Sequence, residues 1–184
     1  MKTNITKLKL LILILIFSFC WATHFADAKV ILQSKSKGMS YQVESVIERL
    51  GVTWGMVFIA PDKIFFTERG GKVGIFFPSN GEVIYLQGGP KVRASGQGGL
   101  LDVAVLPNYK ADDWIYFTYA KPLKEKGREK STTTLARAKL QEEELVELED
   151  MLVTQSLSNS DYHFGSRITF DGEGHLFFSI GDRG

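Results

Sequence analysis

Hydrophobic and polar positions alternate along most of this chain in short runs, and glycine, proline, aspartate or asparagine separates one run from the next. Runs rich in Val, Ile, Phe, Tyr and Thr cover Tyr41–Ile47, Met56–Ile59, Lys63–Glu68, Lys72–Phe77 and Glu82–Leu86. They continue through Leu101–Leu106, Trp114–Tyr119, Thr132–Leu140, Arg167–Phe170 and His175–Ile180. That length and composition predict β-strands. Arg69-Gly70-Gly71-Lys72 reads as a hairpin turn, its two glycines supplying the positive φ angles of a primed turn. Between Leu135 and Leu152 the signals conflict. Glu142, Glu143, Glu144, Glu147, Glu149 and Asp150 sit among good helix formers. Three threonines nevertheless lead the segment, and Ala136, Ala138 and Leu140 alternate with Arg137 and Lys139. The expectation is a strand, a solvated acidic turn and a second strand.

The pattern also recurs. MVFIAPDKIFFTE, DVAVLPNYKADDWIYFTY and RITFDGEGHLFFSIG each carry an apolar strand through a turn into an aromatic strand. Their turns are Pro61-Asp62, Pro107-Asn108 and Asp171-Gly172, spaced 46 and 64 residues apart. An all-β chain with that period fits a β-propeller, one four-stranded antiparallel blade per copy with insertions in the second, and a sandwich is the alternative architecture.

The front of the chain follows a different logic. Lys2, Lys7 and Lys9 precede an apolar run of 13 residues, Leu10 to Ala22, and Ala26-Asp27-Ala28 offers a small-x-small cleavage site. These are the parts of a secretory signal over residues 1–28, and the run falls short of the roughly 20 residues that cross a bilayer. Bulky Phe17 and Phe19 before Cys20 argue against a lipid-modified cysteine. Residues 29–40, rich in lysine and serine, are expected to be a flexible lead-in, with the propeller domain over 41–184.

Charge and cysteine usage narrow the function. With Lys+Arg 22 against Asp+Glu 21 the chain is at +1, and beyond residue 28 it is at −1, so it has no field for gripping nucleic acid. Cys20, the only cysteine, lies in the signal, which excludes disulfide and thiolate chemistry from the exported protein. A cysteine-free exported domain suits a periplasmic or secreted location, with no stable membrane insertion once the signal is removed.

Only His163 and His175 follow the signal. His175 reads as a strand-end or turn histidine. His163 lies in the polar loop Ser160–Arg167, where catalytic groups are common, and its imidazole can take a proton at neutral pH when a carboxylate fixes its tautomer. Asp182 follows the hairpin into which that loop leads, so strand out and strand back can return it to His163. Gly-Asp turns are ordinary, and the residues alone leave the pair open. Ser166 lacks the second glycine of a nucleophile elbow, which argues against a serine hydrolase. Gly96-Gln97-Gly98-Gly99 is followed by no lysine and is not a phosphate loop; its glycines would let a ligand or backbone approach, with Gln97 as an amide donor and acceptor.

Trp54-Gly55-Met56, Thr67-Glu68-Arg69-Gly70-Gly71, Gly96-Gln97-Gly98-Gly99-Leu100-Leu101-Asp102, His163-Phe164-Gly165-Ser166-Arg167 and Gly181-Asp182-Arg183-Gly184 occur in that order. Together they resemble the N-terminal part of the soluble PQQ-dependent glucose/sorbosone dehydrogenase family, most closely its aldose sugar dehydrogenase branch, over roughly Val46 to Gly184. The resemblance implies a six-bladed propeller, of which this chain, at about 45 residues per blade, would hold an incomplete N-terminal portion of roughly three. It implies pyrroloquinoline quinone (PQQ) on one face, an aldose as substrate, oxidation of its C1 hydroxyl to a lactone, and an external electron acceptor. His163 matches the general base, Asp182 the carboxylate that orients it, and Gln97 a contact to the cofactor.

Calcium and the basic residues that hold the cofactor's acidic groups belong to later segments of the family, so no metal ligand is assigned here. A portion without them is expected not to bind the quinone productively by itself. Some members carry an aspartate directly before the histidine. This chain has Tyr162 there and Asp161 one residue earlier, and the role is not transferred. A non-catalytic secreted propeller that binds a protein or glycan is the competing reading.

Overall fold

The computed structural model describes residues 29–184, so the expected signal over 1–28 lies outside the described residues. Within them the elements are all strands: β1 (Lys29–Ser36), β2 (Met39–Ser45), β3 (Thr53–Ala60), β4 (Lys63–Glu68), β5 (Val73–Phe77), β6 (Glu82–Leu86), β7 (Leu100–Val105), β8 (Ile115–Glu125), β9 (Arg128–Gln141), β10 (Glu144–Val153), β11 (Ile168–Phe170) and β12 (Leu176–Phe178). β3-β4-β5-β6 and β7-β8-β9-β10 are two four-stranded sheets, while β11-β12 and β1-β2 are two-stranded. Each four-stranded sheet is a plain antiparallel meander without a crossover, which fits a propeller blade and lacks the Greek-key connections of a sandwich. The three copies of the sequence repeat are the first hairpins of successive sheets: β3–β4, β7–β8 and β11–β12.

Alternation decides which faces are buried. Phe65, Val73, Ile75 and Leu86 of the first sheet meet Leu100, Val103, Ile115, Phe117 and Leu145 of the second in one apolar cluster. The Phe65 and Phe117 rings stand 5.8 Å apart at its centre. Each such side chain contributes about 1.5–3 kcal/mol when taken out of water. β7 lies against β3 and β4, and β11 against β7 and β8, so the leading strands of the three sheets adjoin. At Gly55 the approach is so close that a Cβ would stand 3.0 Å from Asp102 Oδ1 and from the Val103 nitrogen.

The acidic segment resolves as strand, turn, strand: β9 and β10 turn at Glu142-Glu143, with Glu142 at φ 53°. Ladder pairing overrides helix propensity here, and Glu149 and Glu147 on outermost β10 pair with Arg137 and Lys139 of β9. A charged edge of this kind also discourages edge-to-edge association.

Two expectations need correction. Residues 29–40 are not a flexible lead-in: Lys29–Ser36 pairs with Met39–Ser45 in a hairpin closed by Lys37 (φ 47°) and Gly38 (φ 83°). The lysine- and serine-rich composition masked a two-residue turn of the primed kind followed by strand-forming Tyr41 and Val43. In the β4–β5 turn only Gly71 has positive φ (104°), because the Glu68 carbonyl accepts from the Gly71 nitrogen and closes the turn with one left-handed residue.

Candidate functional site

Strand direction gathers the chemistry-bearing loops at one end of the sheets. The turns Pro61-Asp62, Pro107-Asn108 and Asp171-Gly172 fall at the opposite end, where they line shared surface hollows. The loops before β7 and β11, the β4–β5 turn and the segment after β12 therefore lie together. The Leu100 nitrogen donates to the Arg69 carbonyl at 3.0 Å, the Gln97 nitrogen to the Asp161 carbonyl at 2.9 Å, and the Ser166 nitrogen to the Ser179 carbonyl at 2.7 Å.

His163 and Asp182 meet at this end. His163 Nδ1 lies 2.6 Å from Asp182 Oδ1, although 19 residues separate them in sequence. With the carboxylate accepting from Nδ1–H, Nε2 is left as the proton-accepting nitrogen. The hydrogen bond from His163 is the main reason that the Asp182 carboxyl is held below the usual carboxylate range, helped by the Gly184 nitrogen, which donates at 3.1 Å. Both side chains are open to solvent, His163 at 56% and Asp182 at 80%. His163 adopts φ 53°, a left-handed conformation uncommon for residues other than glycine, and its surroundings hold it there. The Gly181 backbone is part of that support: a Cβ there would lie 2.0 Å from the His163 carbonyl oxygen, so glycine alone lets the two segments touch.

Gln97 joins the same constellation. Its Oε1 accepts from the His163 nitrogen at 3.0 Å across 66 residues of sequence. The three residues singled out from sequence thus converge, with Gln97 binding the backbone of the histidine rather than its ring.

Other residues were not visible as functional. Thr67 Oγ1 on β4 donates to the Leu101 carbonyl at 2.6 Å and accepts from the Gly55 nitrogen at 3.1 Å. Thr118 on β8, the matching position of the second repeat, donates to the Ser166 carbonyl at 3.0 Å and accepts from the Asp102 nitrogen at 3.1 Å. Each fully buried hydroxyl latches its sheet to the start of the next. Thr133 Oγ1 on β9 holds the Phe164 carbonyl at 2.9 Å, directly after His163.

Asp102, buried on β7, accepts from Arg167 Nη1 and from the Ile168 nitrogen, each at 2.7 Å. Burial pushes its carboxyl up, against the pull of the Ile168 amide and the Arg167 guanidinium. The Arg167 side chain stays largely exposed, its guanidinium over the Trp54 ring at 5.6 Å. Arg183 lies beneath the loop, 3.7 Å from the Phe164 ring centre, and donates to the Ser160 carbonyl at 2.9 Å and the Tyr162 carbonyl at 3.2 Å. The Phe-Thr pair shared by the first two repeats was the one sequence signal for the latches.

Ser166 is fully buried, which agrees with its rejection as a nucleophile. His175 is a turn residue as expected, its Nδ1 2.6 Å from Asp171 Oδ2 on the β11–β12 turn. Asp171, Glu173 and His175 are, among the described residues, a grouping that could converge on a metal, but it is exposed and lies at the end away from His163.

Comparison with known proteins bears on this arrangement. The sequence profile described as Glucose / Sorbosone dehydrogenase matches residues 50–184. Aldose sugar dehydrogenase YliI of Escherichia coli is 29% identical over 142 residues, covering 76% of this chain and 38% of that protein. Quinoprotein glucose dehydrogenase B of Acinetobacter calcoaceticus is 26% identical over 159 residues, covering 82% of this chain and 33% of that one. The crystal structure of the soluble aldose sugar dehydrogenase from Escherichia coli in the apo form matches with a TM-score of 0.68 at 28% identity, over 75% of this chain and 40% of that one. This chain spans well under half the length of these relatives. Its all-β architecture is that of the β-propeller glucose dehydrogenases over the part matched.

Proposed function

Because the chain belongs to the glucose/sorbosone dehydrogenase family, we propose that it serves the oxidation of the C1 hydroxyl of an aldose to a lactone with PQQ as the cofactor. The observation that carries the reading is the 2.6 Å bond between His163 Nδ1 and Asp182, made while Gln97 holds the backbone of the same histidine.

The residues at this end fit an acidic quinone. Gln97 uses its oxygen on His163, so its side-chain nitrogen is the atom available to donate to a ligand. The Arg167 side chain is 67% exposed, with one guanidinium nitrogen bound to Asp102, and Asp182 engages only the Nδ1 of His163. When bound, PQQ supplies the carbonyl chemistry that accepts the hydride from C1. His163 Nε2 would take the hydroxyl proton of the sugar as the C1 carbonyl forms, leaving an imidazolium. Asp182 keeps Nδ1 protonated before transfer and stabilises the imidazolium after it. Gln97 fixes the height of the ring by anchoring its backbone.

The reading includes export: residues 1–28 act as a cleaved signal, and a periplasmic or secreted enzyme passes its electrons to an external acceptor. Dye-linked aldose oxidation after addition of PQQ and calcium tests it in wild type and His163→Ala, each joined to the later blades of the Escherichia coli relative, because the basic residues that hold the cofactor's acidic groups are expected in those later segments. Activity that needs PQQ and disappears in the variant is expected. Equal activity in both proteins would reject His163 as the base.

A further inference from the structure

Two segments carry the site, the loop Pro90–Gly99 with Gln97 and the loop Ser158–Ser166 with His163, and something has to keep one against the other. Most of the bonds between them run through one residue. The Asp161 carboxylate accepts from Arg93 Nη1 on one oxygen and from Ser95 Oγ at 2.7 Å on the other. Its own carbonyl accepts from the Gln97 nitrogen at 2.9 Å. Gly96 has φ 55°, and a Cβ there would stand 2.6 Å from the Asp161 Cβ, so the two backbones are pressed together at this point. The glutamine loop is in turn tied to the second sheet, since the Arg93 nitrogen donates to the Ala120 carbonyl at 2.9 Å, and to the β4–β5 turn, since Arg69 donates to the Gly96 carbonyl.

From this geometry we propose that Asp161 is a positioning residue for the reaction: it staples the Gln97 loop onto the His163 loop and so sets the histidine through the bond from its nitrogen to Gln97 Oε1. The proposal rests on the reading of His163 as the base. The side chains involved are partly exposed, Asp161 at 32% and Arg93 at 19%, so the staple sits at the rim of the site and not in the core. Hydrogen bonding from Ser95, with Arg93 beside it, holds the Asp161 carboxyl below the usual range against a small opposing effect of burial. The staple is therefore ionised at neutral pH and opens only as acid takes the carboxyl through that lowered value. Arg183 approaches the same loop from below through the Ser160 and Tyr162 carbonyls, and it does not touch Gln97. Removing the Asp161 carboxylate takes away the Arg93 and Ser95 bonds and loosens the glutamine loop against the His163 loop, while the backbone bond from Gln97 and the support under Phe164 remain.

The test compares Asp161→Ala, Asp161→Asn and His163→Ala in the intact protein, with two independent readouts. The kinetic readout is dye-linked aldose oxidation with PQQ and calcium added, measured with each variant joined to the later blades of the Escherichia coli relative. Asp161→Ala should lower kcat roughly 10- to 100-fold with KM for the sugar within about two-fold, the scale expected when a reacting group is misplaced by about an ångström. Asp161→Asn, which keeps an acceptor for Ser95, should recover most of the loss. The second readout needs no activity: hydrogen exchange at the His163 amide should be at least about 10-fold faster in Asp161→Ala, as expected when a local hydrogen bond opens, with the melting temperature little changed. Unchanged exchange at His163 overturns the proposal, as does unchanged kcat in Asp161→Ala beside an inactive His163→Ala. If His163→Ala remains active, the reading of the base fails instead, and the exchange measurement alone decides whether Asp161 holds the loop. Should Asp161→Ala fail to fold, Ser95→Ala removes one arm of the staple and must show a smaller effect of the same kind; no change in its exchange also overturns the proposal.

Discussion

The described residues contain two His–Asp pairs at the same distance, His163–Asp182 and His175–Asp171, each joined through Nδ1 at 2.6 Å. They differ in how the carboxylate is used. Asp171 stands four residues before its histidine and also accepts from the Glu173 and His175 nitrogens at 2.7 and 3.1 Å, so it closes a β-turn and the imidazole caps what the turn has already formed. Asp182 reaches its histidine across 19 residues and a complete hairpin, at the end where Gln97, Arg167 and the β4–β5 turn also converge. A pair distance is therefore no signature of catalysis; what separates the two is which other groups lie at the same end as the imidazole.

The strongest way to break this comparison is activity. His163→Ala should lower aldose oxidation by about 10²–10⁴-fold, whereas His175→Ala should leave it within about two-fold, because only the first removes the proposed base. Comparable losses in both would show that the pairs are not functionally distinct.

Asp182→Asn should cost up to about 10⁴-fold in kcat, since the imidazole remains but loses its tautomer control, orientation and charge partner. Its partner experiment is Asp171→Asn, for which the expected change is in stability and not in turnover. Steady-state kinetics on the two variants sharpens the contrast, and a loss confined to Asp171→Asn would reverse it.

A third prediction concerns the scaffold under His163. Thr118→Val removes the donor to the Ser166 carbonyl and the acceptor of the Asp102 nitrogen, leaving two buried backbone groups unpaired. Urea unfolding should show a loss of about 2–3 kcal/mol. A variant as stable as the wild type would show that the hydroxyl is not the latch between the sheets.

The smallest effect is in titration. Asp182 is ionised in the pair and its carboxyl is lowered chiefly by the His163 hydrogen bond, so that bond favours the folded state above the ordinary carboxylate range and is lost as pH falls through the lowered value. In His163→Ala, NMR titration should return Asp182 toward about 3.9. For Asp171 burial pushes upward but is outweighed by the Glu173 amide and the His175 ring and amide, so its carboxyl should stay low even in His175→Ala, where the Glu173 amide remains. If both carboxylates moved upward equally, Asp171 would depend on its histidine as much as Asp182 does.

The sequence by itself determined the strands and most of their order. Strand periodicity is local: a run such as Lys63–Glu68 buries Phe65 and Phe66 wherever it packs, and its ends were readable from Pro61-Asp62 and from the glycines after Arg69. The repeat likewise marked the leading hairpin of each sheet, and ordered motifs marked His163, Asp182 and Gln97. Composition misled where pairing was closed by a short turn, as at Lys37-Gly38, because lysines and serines tolerate a hairpin that they do not announce.

Which loops touch is settled by the packing of one sheet against the next. Gln97 finds the His163 nitrogen from 66 positions away, Asp102 finds the Ile168 nitrogen from the same distance, and Asp161 receives Arg93 and Ser95 from the preceding loop. No local pattern encodes such bonds. They arise because packing β7 against β3 and β11 against β7 brings the loops of separate sheets to one end, where buried or half-buried polar groups must find partners among whatever lies opposite.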